Sequence, residues 1–268
     1  MKKISIFLII FFYILNAKEI KLVNGQVLFL DFNKSHFSKI YFQDKSIPYF
    51  VYNNKIITSI AMPYKIPKDM ELFVEFKNNS KEKIYIKAIN GTYKKEILKV
   101  DASKVNPPKE VLNRINKEYQ EAIKIYNTYT DKLLFDGKFI YPITSKITSE
   151  FGKARIFNDT LKSYHSGTDF RASIGTKIHA SNSGIVKIAS NRYYAGKSVV
   201  IDHGYGIYSQ YYHLSKILVC EGQKVKKGEI IGLSGMSGRV TGAHLHFGIL
   251  VNGVQVDPVD FIFKFNKL

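Results

Sequence analysis

Apolar and polar positions change their period twice along the chain. Between residues 18 and 101, Val27–Phe32, Ile56–Ala61, Glu71–Phe76, Lys83–Ile89 and Lys94–Val100 are rich in β-branched and aromatic residues, and several alternate. That is the pattern of short, partly buried strands. Asn24-Gly25 and Asn90-Gly91 supply turns, and Asn78-Asn79-Ser80 a loop. Strands this short and evenly spaced predict a small β-sandwich over residues 18–105. Pro107-Pro108 closes it. From Glu110 to Leu134 the chain lacks Gly and Pro, and Val111, Ile115, Tyr119, Ala122, Ile123 and Tyr126 recur at helical spacing. This predicts a linking helix within residues 106–138, its stripe read as a packing face. From Phe139 the β period returns in Lys177–Ala180, Gly184–Ala189, Ser198–Asp202, Tyr208–His213, Ile230–Ser234 and His244–Val251, now among frequent glycines. The expected class is mostly β, with a second domain over residues 139–268.

Two departures from this pattern carry information about location. Lys2 and Lys3 precede an apolar run from Ile4 to Leu15, and the small Ala17 follows. This is the layout of a secretory signal, and at about twelve residues the run is short for a span, which takes about twenty. Residues 1–17 are therefore set apart from the fold, and export across the inner membrane, to a periplasmic location, is expected. The formal charge is +18. In an exported protein this favours an anionic envelope surface over nucleic acid, and leaves association with a membrane or envelope protein open. Cys220 is the single cysteine, so neither an internal disulfide nor a Cys-rich zinc site can form.

Candidate chemistry concentrates in the second half, which holds six of the seven histidines. His36 stands alone and reads as structural or exposed. His165 is followed four residues later by Asp169; His213 ends an aromatic strand; His244-Leu-His246 follows a Gly-rich stretch. On a strand, His244 and His246 share one face and Leu245 takes the other. A catalytic zinc takes three ligands from His, Asp or Glu and leaves one position for water. Two His and one Asp meet that need, and two further His remain to move protons.

The order and neighbours of these elements are distinctive. Ser149-Glu-Phe-Gly152, His165-Ser-Gly-Thr-Asp-Phe170, Ile201-Asp-His-Gly204, Tyr212-His-Leu-Ser215, Gly222-Gln-Lys-Val225, Ser237-Gly-Arg239 with Thr241-Gly242, His244-Leu-His-Phe247 and Val256-Asp-Pro258 follow one another. From about Ile143 to Phe261 the chain resembles the catalytic domain of the lysostaphin-type (LytM-like) zinc peptidoglycan endopeptidases. Ala243 stands where the family has Pro, and Lys-Ile-His179 where it has Pro-Val. More loosely, Tyr93–Leu98, Val105–Pro107, Leu112–Ile115 and Glu118 resemble the sandwich region that precedes this domain in some secreted members.

The resemblance implies an antiparallel β catalytic domain with a substrate groove. It implies one zinc per chain, held by His165, Asp169 and His246, and two catalytic histidines, His213 and His244. One would take a proton from the zinc-bound water; the other would stabilise the oxyanion or protonate the leaving amine. The expected partners are peptidoglycan stem peptides, cut at Gly-Gly bridges or at D-Ala–diaminopimelate cross-links. The two-domain, exported, basic layout favours the latter, in wall remodelling or cell-shape change. A different class is represented among relatives that lost zinc ligands and activate other wall hydrolases without cutting; the complete set here favours an enzyme. His203 reads as structural and His179 as a strand residue away from the metal. Arg155 reads equally as groove-lining or solvated. Tyr193, Tyr194 and Tyr205 read as groove or packing residues, and Asn158 as a weaker candidate. With no chemical cluster of its own, the first domain with its helix is expected to control access to the groove or, equally, to bind the wall or a partner. Oligomeric state is not readable. If the first domain gates, a fragment from Phe139 should be at least as active on a small soluble peptide.

Overall fold

The computed structural model describes residues 18–159 and 161–268; the expected export signal, residues 1–17, lies outside them. The first eight strands are β1 (Lys18–Val23), β2 (Val27–Asn33), β3 (Phe37–Phe42), β4 (Lys45–Ser46), β5 (Tyr49–Tyr52), β6 (Lys55–Ala61), β7 (Met70–Phe76) and β8 (Lys81–Ile89). They form two sheets, ordered β1-β8-β7-β3-β4 and β2-β6-β5. Leu72 and Val74 of β7, Ile84 and Ile86 of β8, and Leu30, Ile56 and Ile60 of the second sheet close one core between them. Asn79, at φ 63, supplies the left-handed residue of the β7–β8 turn.

Strand β6 does not alternate: Ile56 to Ile60 are all buried. One face feeds the sandwich core, while Ile57 joins Val27 and Phe50 in a second core shared with the C-terminal half. A strand covered on both faces reads as an unbroken apolar run, which is what Ile56-Ile57 begins.

Strand β9 (Lys95–Leu98) departs from expectation. It leaves the sandwich and pairs in parallel with a strand of the second half, β11 (Ala154–Phe157), Glu96 opposite Arg155 and Leu98 opposite Phe157. Helix α1 (Lys109–Tyr126) starts directly after Pro108 and stops eight residues short of the predicted Leu134. Past Asn127 the Thr-rich stretch satisfies itself elsewhere: Thr128 Oγ1 bonds back to Lys124 O, and Thr130 Oγ1 donates to Asp202. Such side-chain bonds compete with helix continuation. Of the apolar stripe only Ala122 is fully buried, so it is not simply a packing face.

The second half comprises β10 (Ile147–Ser149), β11 (Ala154–Phe157), β12 (Leu161–Tyr164), β13 (Thr168–Arg171), β14 (Lys177–His179), β15 (Gly184–Arg192), β16 (Gly196–Asp202), β17 (Ile207–Ile217), β18 (Lys224–Val225), β19 (Ile230–Ser234), β20 (His244–Val251), β21 (Val254–Val256) and α2 (Pro258–Phe265). The main sheet runs β10-β13-β20-β17-β16-β15-β18, with β14, β19 and β21 paired onto it; its pairings are antiparallel. Asp257 caps α2 by accepting from the Val259 and Asp260 amides. Phe261 and Phe265 of that helix pack edge-on against Phe29 of β2. The two halves thus share an apolar interface, and no described helix is long and apolar enough to cross a membrane.

Candidate active site

The site grows from the register of β13 and β20. Asp169 stands opposite His246, and Arg171 opposite His244. Alternation along β20 sends both histidines to one face and buries Leu245 on the other. His165 arrives on the turn before β13. That turn needs Gly167, because a Cβ there would lie 2.4 Å from Phe247 O and 2.7 Å from His246 Nε2.

His165, Asp169 and His246 are buried, with ligand atoms all within 4.8 Å of one another. His165 Nε2 lies 2.9 Å from Asp169 Oδ1 and 3.0 Å from His246 Nδ1, which is itself 2.9 Å from Asp169 Oδ1. His165 Nδ1 is 2.8 Å from the Glu150 carbonyl. A carbonyl only accepts, so Nδ1 carries the hydrogen and Nε2 keeps its lone pair. That lone pair and a carboxylate oxygen therefore face each other with no hydrogen between them. The pair is repulsive unless a cation sits there, and the three donors fit a metal ion.

The same carbonyl logic sets the other two histidines. His213 Nδ1 donates to Ser237 O and His244 Nδ1 to Gly242 O, each at 2.8 Å. Both Nε2 atoms are left as acceptors, and His244 Nε2 lies 3.7 Å from Asp169 Oδ1. The His213 and His244 rings are 4.9 Å apart, and His213 is 5.9 Å from His246. His213 stands at φ 64, where the β16–β17 register slips between Val199–Tyr211 and Lys197–Leu214. This bulge re-aims the ring, a common device beside active sites. Burial first, then the neighbouring His244 and His246, push His213 well below the usual imidazole range, so it stays neutral and able to accept a proton.

Arg155, ambiguous in the sequence, is engaged. Its Nη2 donates to Asp169 Oδ2 at 2.8 Å and its Nε to Glu96 Oε2 at 2.9 Å. Glu96, on β9, is thereby tied to the far oxygen of the acid in the cluster. Nothing in the sequence around Glu96 signals this, since it depends on the β9–β11 pairing. Asn158, at φ 47, pins Val100: its Oδ1 accepts from Val100 N and its Nδ2 donates to Val100 O, each at 2.9 Å. His203 is fully buried, 2.7 Å from both Ser183 O and Ser209 Oγ, the structural role expected. His179 sits on β14 and bonds Gly228 O. Tyr194 lines the cavity, Tyr193 is buried, and Tyr205 stacks on Phe50 in the interface between the halves.

A cavity of about 320 Å³ over the cluster is lined by Ile115, Glu118 and Tyr119 of α1 together with His165, His213 and His246. Helix α1 is clasped at this edge. Glu118 accepts from the Tyr193 amide at 2.8 Å and from Arg114 at 2.7 Å, and Arg114 also donates to Asn191 O.

The chain is 44% identical over 163 residues to the peptidoglycan DD-endopeptidase ShyA of Vibrio cholerae, covering 54% of this chain and 38% of ShyA. It is 41% identical over 123 residues to ShyB of the same organism, covering 44% of this chain and 29% of ShyB. The chain thus spans well under half the length of these relatives. A solved structure from Pseudomonas aeruginosa, assigned to peptidase M23, aligns over 90% of this chain and 94% of its own, with TM-score 0.69 and 27% identity. The profile of Peptidase family M23 matches residues 163–258, so that stretch of the chain is a Peptidase family M23 domain.

Proposed function

We propose that the protein is a zinc-dependent peptidoglycan endopeptidase that hydrolyses D-Ala–diaminopimelate cross-links in wall remodelling. The observation that carries this is the convergence of His165, Asp169 and His246, with His213 and His244 aimed beside them. The donor set, two imidazoles and a carboxylate without thiolate, suits zinc with an open position. When bound there, zinc would polarise the scissile carbonyl and lower the pKa of a water. His213 and His244, their Nδ1 hydrogens committed to carbonyls, present Nε2 to the reaction. One accepts the proton of the attacking water; the other, once protonated, stabilises the oxyanion or returns a proton to the leaving amine. The naming of ShyA and ShyB as peptidoglycan DD-endopeptidases supports the substrate. Against the alternative, a non-catalytic activator of other hydrolases, stands the complete set of five residues.

The same reading places export at residues 1–17, a sandwich domain at 18–105, a linker at 106–138 and the catalytic domain at 139–268, with β9 serving the catalytic domain although it lies before the linker. It also gives α1 a gating role, supported by its place along the cavity. Elemental analysis of the purified mature chain should find one zinc per chain, and excess chelator should abolish activity, with zinc restoring it. A metal-free active protein would overturn the proposal.

A further inference from the structure

Arg239 has no role in the chemistry above, yet it borders the spaces on both sides of the cluster. It lines the cavity with His165 and His246, and a second space with Asp169 and His244; His213 borders both. Its guanidinium carbon lies 4.4 Å from the centre of the Phe157 ring and 4.8 Å from that of Tyr194. The backbone beneath is fixed. Arg239 N donates to Tyr194 O at 2.9 Å. Gly238, at φ 81, lets the two segments touch, since a Cβ there would lie 2.4 Å from Tyr194 O. Among the described residues its side chain makes no hydrogen bond and no ion pair, unlike Arg155, which is held by Glu96 and Asp169. A half-buried guanidinium held against aromatic rings, with its N–H groups unclaimed, is a preformed receptor for a planar anion. A carboxylate matches that fork in two bonds, where an amide does not.

We propose that Arg239 binds a free carboxylate of the substrate peptide beside the scissile bond, making the groove selective for acidic cross-links. This rests on the endopeptidase reading above. In a D-Ala–diaminopimelate cross-link, one carboxylate stands on the carbon that bears the scissile nitrogen, and it is the carboxylate assigned to Arg239.

The test uses the full mature chain and a soluble D-Ala–diaminopimelate cross-linked peptide dimer in three forms: unmodified, amidated at that carboxylate, and amidated at the peptide's C-terminal carboxylate. Both cleavage and equilibrium binding are measured, with zinc content checked. Loss of a charge-assisted pair predicts that the wild type prefers the unmodified dimer over the first amide by about 10- to 100-fold in kcat/KM and in affinity. Arg239→Gln should lose that factor on the unmodified dimer, treat the two alike, and keep its zinc. Arg239→Lys should recover only part. Loss of preference on amidating the C-terminal carboxylate instead would overturn the assignment to the diaminopimelate group. Equal discrimination by wild type and Arg239→Gln would overturn the proposal altogether. If the wild type cleaves none of the dimers, the endopeptidase reading fails, and the binding comparison still decides the role of Arg239.

Discussion

Replacing Arg155 by alanine should weaken metal binding without touching a ligand. The arginine side chain is 14% exposed and the Asp169 side chain 8%, so the 2.8 Å bond between them is poorly screened. Two effects oppose each other. Removing a positive charge beside Asp169 would make the carboxylate a better cation ligand. Removing the donor frees the carboxylate to rotate and leaves Oδ2 without its partner. Glu96, 2.9 Å from Arg155 Nε, already balances much of the arginine charge, so the orienting effect wins. Supporting residues of this kind typically change metal affinity 10- to 100-fold, or roughly 1.4 to 2.7 kcal/mol. Arg155→Ala should fall in that range, measured as zinc Kd by competition with a chromogenic chelator at fixed pH. Glu96→Gln should cost less, because the fork toward Asp169 survives. Arg155→Lys should not rescue, since one ammonium cannot serve Glu96 and Asp169 in the fixed directions the guanidinium does. The double variant should fall short of the sum of the singles. A folded Arg155→Ala protein with wild-type zinc affinity would refute the reasoning.

Other consequences can be checked separately. His213→Ala and His244→Ala should nearly abolish turnover while retaining zinc, whereas His246→Ala should lose both; zinc loss in His244→Ala as complete as in His246→Ala would reverse the role assignment. Glu118→Ala should loosen α1 from the Tyr193 amide and raise kcat/KM on a small soluble cross-linked peptide by about tenfold, the factor a lost charge-assisted hydrogen bond permits; an unchanged rate at full zinc loading would count against gating. This single change is cleaner than a fragment from Phe139, which would also strip Glu96 from Arg155 and expose the apolar face that Val27, Phe50 and Ile57 cover. His203 is fully buried, and burial lowers its pKa to about 4, against about 6.5 unfolded. The unfolded chain therefore binds the extra proton between those values, so this contribution to stability is intact above pH 6.5 and lost as pH falls toward 4, by about 3 kcal/mol in all. Urea unfolding of the wild type and His203→Gln at pH 7.5 and pH 5 should show the smaller pH loss in the variant, and equal losses would contradict the assignment.

The sequence was most readable where a local period settles the answer. The alternation in His244-Leu-His246 gives the shared face directly, and the strands of the main sheet were visible as apolar runs between glycines. What escaped depends on pairing between distant segments. Lys94–Val100 has the composition of a sandwich strand, and only its docking on β11 brings Glu96 to Arg155. The aim of His213 depends on a bulge and a left-handed φ that no residue type announces. Arg155 was open between two readings because its partners lie at positions 96 and 169. The helical stripe was legible, but Ile115 and Tyr119 line the cavity, and the end of the helix was set by threonine side chains that found other acceptors.

The central claim is that His165, Asp169 and His246 hold the zinc with which His213 and His244 cut peptide cross-links. Digestion of purified sacculi by the zinc-loaded mature chain, with released muropeptides identified by mass spectrometry, tests it most directly. The account predicts that D-Ala–diaminopimelate dimers fall and monomers rise, with glycan strands intact, and that chelator, His213→Ala and His246→Ala each stop the conversion. Unchanged dimers after digestion with the folded, zinc-loaded protein would contradict it.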